Sequence, residues 1–183
     1  RNFSPINERK VDVFYRGREL PYIYGSLGRE KFEIGEKFAR HCVLNNIELK
    51  LDLEASNEKR IYGESWYRTI ANSKVMLGTE SGSNVFDFQG DLGEKIQLEL
   101  ERGKSYNEVY DLFIKDKEKE ILMNQISPKA FEAIGLKTVL VLYEGEYSGV
   151  LEPNVHYIPL KKNFSNFMEV IAIIRDDEKL EKI

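Results

Sequence analysis

Ile126–Gly149 reads ISPKAFEAIGLKTVLVLYEGEYSG, a short helix pattern feeding a buried strand pattern. Ser127 stands where a helix cap belongs, and Pro128 takes the first helical position, where a missing N–H costs nothing. Phe131, Ala133 and Ile134 give the helix an apolar side. Gly135 is expected to stop it, because glycine enters the left-handed conformation without penalty. Thr138–Tyr143 (TVLVLY) is an almost unbroken apolar run, the pattern of a strand covered on both faces. Gly145, Tyr147, Ser148 and Gly149 then make a loop at that strand's carboxyl end, the edge at which open α/β sheets bind ligands. Glu132 lies mid-helix among apolar neighbours. Spacing alone favours a solvated charge there; the alternative is a carboxylate that accepts hydrogen bonds from ligand hydroxyls.

Upstream, Val11–Tyr15 (VDVFY) is the first strand, and Arg16, Gly17 and Arg18 open a loop punctuated by Pro and Gly. A helix is expected from Arg29 to Asn45, with Ile34, Phe38 and Cys42 recurring every four residues. Ile47–Leu53 (IELKLDL) alternates apolar and polar residues, as a strand does. Ser65 is placed to cap a helix over Trp66–Ser73, and Val75–Leu77 is a short strand followed by the loop Gly78–Asn84. From Phe86 to Asn124 the pattern turns helical, with a capping-box signature at Ser105 and Glu108. His156–Leu160 is a last strand, and Phe167, Val170, Ile171 and Ile174 mark a last amphipathic helix. Strands alternating with helices predict an α/β fold: a Rossmann-like parallel sheet of about five strands, ordered 3-2-1-4-5, with helices on both faces and a helical insertion. The whole of 1–183 is read as one domain.

The 183 residues suffice for one domain with a core, and 42% apolar with 32% charged residues is ordinary globular composition. A net charge of −4 gives no broad basic field for nucleic acid. No apolar run approaches a transmembrane length, and no signal peptide is visible. The single Cys42 excludes an internal disulfide and fits a reducing, cytoplasmic setting. The chain starts at Arg1 and enters strand pattern by Val11, as expected of a part cut from a longer protein.

Three places can hold chemistry. Arg16 after the first strand and Lys31 at the start of the next helix can meet a diphosphate, or be surface charges. Glu80, Ser81 and Ser83 lie in a Gly/Ser loop at a strand's carboxyl end, which offers N–H groups and hydroxyls to an anion or simply turns the chain. Ser127, Glu132, Tyr147 and Ser148 form the third, where Tyr147 either stacks on a ring or packs. GxGxxG and GxxxxGK[ST] are both absent, and His41 and His156 have no ligand spacing, so no metal site or bound cofactor is expected. Asp52 and Glu54 share one face of a half-exposed strand, which explains them without a metal.

SPKAFEAIGLKTVLV, Ser127–Val141, resembles the donor-binding C-terminal domain of GT-B glycosyltransferases, of the "glycosyl transferases group 1" type. The resemblance runs from about Val11 to the end and is strongest over Ser127–Ile174. It implies that Glu132 holds the ribose hydroxyls of a nucleotide-sugar, and that the helix start at Ser127 faces its phosphates. Arg16 and Lys31 would hold the diphosphate, and the loop with Tyr147 and Ser148 would line the sugar pocket. It further implies a metal-independent glycosyltransferase whose N-terminal acceptor domain, in the same chain, brings the catalytic base; this part alone would be inactive. Where many retaining members carry a second acid, eight positions before Glu132, this sequence has Asn124. The alternative is a non-catalytic α/β nucleotide-binding or interaction module, flavodoxin-like or receiver-like. A receiver needs clustered acids at its strand ends, and the first strand here ends in Tyr15 and Arg16.

Overall fold

The computed structural model describes residues 4–56 and 58–183. The apolar run forms strand β4 (Val139–Tyr143), buried at every residue. It pairs in parallel with β3 (Ser73–Gly78) on one side and β5 (Ile158–Leu160) on the other. Strand β1 (Val11–Arg16) lies beyond β3, and β2 (Leu51–Glu54) closes the edge.

The five-stranded sheet therefore runs β2-β1-β3-β4-β5, which corrects the expected 3-2-1-4-5. The reason lies in the strands themselves. All four residues of β2 are only half-buried, which suits an edge, whereas Val75, Met76 and Leu77 of β3 are buried and need neighbours on both sides.

Strand alternation splits the core into two layers. Val13, Val75, Val141 and Ile158 face α1 (Gly25–Leu44) and α6 (Phe167–Ile174), which contribute Ile34, Phe38, Val170 and Ile171. Phe14, Met76, Leu140 and Leu142 face α2 (Gly63–Ala71) and α5 (Pro128–Gly135), through Ile70, Ala130 and Ala133. The chain goes from β1 outward to β2, then back across to β3. The crossing helix changes face with that reversal, as a single hand of crossover requires.

The insertion between β3 and α5 holds α3 (Leu92–Glu101) and α4 (Tyr106–Val109), the latter started by the expected Ser105–Glu108 capping box. Its ends are tied by paired hydrogen bonds, Ser81 N–H to Gln125 O at 2.7 Å and Gln125 N–H to Ser81 O at 3.0 Å. Val85, Leu92, Ile96, Val109 and Ile114 give it a small core of its own, against Tyr22 and Ile23.

Three local expectations are corrected. Ser127 occupies the N-cap position of α5, but its side chain makes no cap bond. Gly135 is the last residue of α5, and the left-handed turn after it is taken by Lys137 (φ 56°). Helix α1 begins at Gly25, not Arg29, because the carboxylate of Glu118 in the insertion accepts from Ser26 N–H and satisfies an orphan donor of its first turn. Lys31 accordingly sits in the second turn.

Candidate functional site

A cavity of about 520 Å³ opens beside the carboxyl ends of β1 and β3, between α2 and α5. This is the switch point of a 2-1-3-4-5 sheet, where the connections after β1 and β3 diverge and leave a crevice. Met76, Leu77, Leu140 and Leu142 give it an apolar floor.

Arg16, Lys31, Ser81, Ser127, Glu132 and Tyr147 all line this one cavity; Glu80, Ser83 and Ser148 do not. Arg16 ends β1 and is held firmly. Its guanidinium pairs with Asp52 at 2.7 Å, and Nη1 donates to Tyr15 O at 2.9 Å and Asp52 O at 3.0 Å. Its Nε is buried with no hydrogen-bond partner among the described residues. Lys31 donates to Ser81 Oγ at 3.0 Å, tying α1 to the loop after β3. Burial, and then Arg18 nearby, lower the pKa of Lys31 from its ordinary value.

Glu132 projects from α5, and its Oε2 accepts a hydrogen bond of 2.8 Å from the indole N–H of Trp66 on α2. Tyr147 is buried and uses its hydroxyl on Tyr143 O at 2.6 Å, with its ring edge-on to Tyr157. It is a wall of the cavity, with no free hydroxyl to offer.

The three residues outside the cavity have other work. Glu80 is buried, accepting from Asn124 Nδ2 at 2.6 Å, Tyr147 N–H at 3.0 Å and Glu146 N–H at 3.2 Å. Ser83 is engaged with Val85 in a local turn, and Ser148 is exposed in a left-handed conformation (φ 54°). Asn124 is part of the same Glu80 cluster, its Oδ1 accepting from Asn84 Nδ2 at 2.8 Å.

Sequence reasoning missed Lys129, Trp66 and Arg60 as site residues and named Arg18 only in the loop after β1; all four line the cavity. Lys129 precedes Glu132 by one helical turn, so its placement on the same face was available from spacing. Its ammonium donates to Arg16 O at 2.7 Å and lies 5.4 Å from the Trp66 ring centre. Burial, and then the nearby Lys31, push its pKa down. Trp66 gave no signal, since its α2 pattern reads as an ordinary amphipathic helix.

Arg18, Lys31, Arg60 and Lys129 make no salt bridge among the described residues. These four cations, and Arg16 beside them, thus line a hollow that offers one carboxylate, an arrangement suited to a polyanion. No group of three or more His, Cys, Asp or Glu side chains among the described residues is arranged to hold a metal ion. Nor is any helix among them long and apolar enough to cross a membrane. Comparison with protein-family models, with curated proteins and with solved structures gives no match to this chain.

Proposed function

We propose that the cavity binds a sugar nucleoside diphosphate, and that the chain is the donor-binding domain of a metal-independent glycosyltransferase. The observation that carries this reading is the sharing of one cavity by Arg16, Lys31 and Lys129 with Glu132. A diphosphate needs several cations within a short span, and a ribose needs an acceptor for its hydroxyls; both demands meet in this crevice. The start of α5, where the Lys129 main-chain N–H follows Pro128, adds a favourable dipole for phosphate.

In this reading the lysines stabilise the negative charge that grows on the leaving diphosphate as the glycosidic bond breaks. Their ammonium groups are half-buried and held by Ser81 Oγ and Arg16 O, so less reorganisation is needed when the charge develops than in water. Ser127, whose hydroxyl makes no cap bond, is available to a phosphate oxygen. The acceptor and the base that activates it belong to an N-terminal domain of the same protein. The resemblance over Ser127–Val141 supplies the sugar-transfer part of the proposal.

A second reading is favoured by one observation. The 2-1-3-4-5 strand order is that of flavodoxin-like binding modules. A module of that kind would hold a nucleotide in the same crevice without transferring a sugar.

Thermal denaturation with UDP-, GDP-, ADP- and CMP-sugars tests the binding step. A ligand at about 100 times its dissociation constant adds about 2.7 kcal/mol, enough to raise Tm by several degrees. Stabilisation by one nucleotide class is expected, and it should be lost in Lys31→Ala/Lys129→Ala. No shift with any nucleotide would end both readings. Binding without release of the nucleoside diphosphate, in a protein that includes the acceptor domain, would leave only the second.

A further inference from the structure

The contact between Trp66 and Glu132 joins α2 to α5 across the cavity, and neither residue needs the other for the fold's main core. Trp66 is half-buried, its ring tilted at 59° against Phe14 with centres 5.5 Å apart. The Lys129 ammonium covers the ring at 5.4 Å and is itself anchored on Arg16 O at 2.7 Å. The indole is therefore held in place, and its N–H can only donate. It donates to Glu132 Oε2 at 2.8 Å. Glu132 takes no other hydrogen bond and no salt bridge among the described residues, so Oε1 keeps its acceptor capacity.

Lys129 and Glu132 stand one turn apart on the same helix, the spacing at which opposite charges pair readily. They attract one another electrostatically, yet form no salt bridge. The indole occupies the space over Lys129 and holds the carboxylate from the other side. Without that N–H, no hydrogen bond among the described residues holds Glu132 off the ammonium.

We infer that Trp66 is a positioning residue: it holds one oxygen of Glu132 and keeps the carboxylate off Lys129, so that the other oxygen receives a vicinal diol and the site selects ribonucleotides over nucleotides lacking that diol. This deepens the proposed nucleotide site and rests on it. Trp66 acts through Glu132 and touches no reacting atom.

The test is isothermal titration of the parent, Trp66→Phe, Glu132→Ala and the double variant. Titrants are UDP, GDP, ADP and CDP, followed by the 2′,3′-dideoxy counterpart of whichever binds. Trp66→Phe removes the donor while keeping an aromatic ring to face Phe14 and Lys129. It is expected to weaken the ribonucleotide about tenfold, as for one hydrogen bond to a charged group. Binding of the dideoxynucleotide should stay within about twofold of the parent, and Trp66→Phe should cost nothing further in Glu132→Ala. Equal weakening of both nucleotides, additive losses, or no loss would overturn the inference. A parent that binds ribo- and dideoxynucleotides equally refutes the diol role alone; a parent that binds none of the four refutes the nucleotide site with it. Should Trp66→Phe not fold, the parent carries its own reporter, because Trp66 is the only tryptophan. Its emission should change in Glu132→Ala, and more on ribonucleotide than on dideoxynucleotide binding, since both diphosphates reach Lys129 beside the ring. Emission blind to Glu132→Ala, or changed equally by the two nucleotides, would count against the inference equally.

Discussion

Glu80→Ala should loosen the junction of three loops behind the Tyr147 wall of the cavity, while touching no cation that lines it. The Glu80 carboxylate is 5% exposed and accepts three hydrogen bonds, from Asn124 Nδ2, Glu146 N–H and Tyr147 N–H. Alanine removes every acceptor and orphans two main-chain donors and an amide. At about 1 kcal/mol for each orphaned donor, the loss is about 3 kcal/mol. For a chain of this size that lowers Tm by roughly 6–12 °C. Glu80→Gln keeps an oxygen for the main-chain donors but turns an NH2 group toward the Asn124 NH2. Asn124 can answer only by rotating, which breaks its 2.8 Å bond from Asn84; the cost is about 1–2 kcal/mol.

Gly145 supplies the internal control. A Cβ there would meet Glu80 Cδ and Oε2, both at 2.7 Å. Gly145→Ala therefore costs about 1–3 kcal/mol by overpacking. In the Glu80→Ala background the obstructing carboxylate is gone, so the double variant should be at least about 1 kcal/mol more stable than the sum of the singles predicts. Urea denaturation of all four proteins measures the cycle. An additive cycle, or Glu80→Ala within about 0.5 kcal/mol of the parent, refutes the junction role. Lost nucleotide affinity at unchanged stability would put Glu80 among the ligand contacts instead.

Glu30 offers a pH test. Burial raises its carboxyl pKa above the ordinary 4.5, against the pull of Lys162 and with help from Glu80 and Glu118. A raised carboxyl stabilises the fold when protonated and loses that contribution as pH rises through the folded value. Glu30→Gln is therefore expected to be more stable than the parent at pH 7 by urea denaturation, with the gain shrinking toward pH 4.5; a gain that grows on acidification would contradict this. Lys129 and Lys31 are both held below their ordinary pKa, and a bound diphosphate would raise both. Binding should then take up protons on the alkaline side, and affinity should fall as pH rises through the free protein's lysine values; calorimetry in two buffers of different ionisation heat reads the uptake, which Lys129→Ala should reduce. Glu118 caps the start of α1 at Ser26 N–H and accepts from Tyr110 OH at 2.9 Å. Glu118→Ala should cost about 2 kcal/mol and speed proteolysis within residues 79–126, while cleavage confined to other segments would mean the insertion is held by its apolar contacts alone.

Periodicity exposed the elements of this fold well, since each strand and long helix carries its own pattern of burial. β4 was legible because TVLVLY admits no solvent face, and α6 because Phe167, Val170, Ile171 and Ile174 repeat at helical spacing. Strand order was not legible from element positions, yet its cue was present in composition. The polar alternation of β2 marks an edge, and the apolar middle of β3 demands a central place. The start of α1 was hidden for a different reason. Its cap is Glu118, far along the chain, and local propensity holds no trace of a partner brought in by the insertion.

The site was legible to the extent that its chemistry lies at strand ends. Arg16, Ser81 and Glu132 follow or face the ends of β1, β3 and β4, and the crevice gathers them because the connections diverge there. Glu80 occupies an equivalent sequence position beside Ser81, but alternation turns it to the opposite side, under Gly145. Trp66 was invisible because its role is set by an edge strand: with β2 outside β1, the α2 connection must cross back over the β1 end to reach β3. The expected 3-2-1-4-5 order gives α2 no such return across the cavity. The same topology assigns the charge. Asp52 on β2 pairs with Arg16 at 2.7 Å, so the attraction for an anion falls mainly on the cations without a salt bridge among the described residues, including Lys31 and Lys129 from helices on opposite faces of the sheet. A ligand that engages both lysines must therefore lie across the sheet's carboxyl edge, with Glu132 and its indole partner at the α5 side.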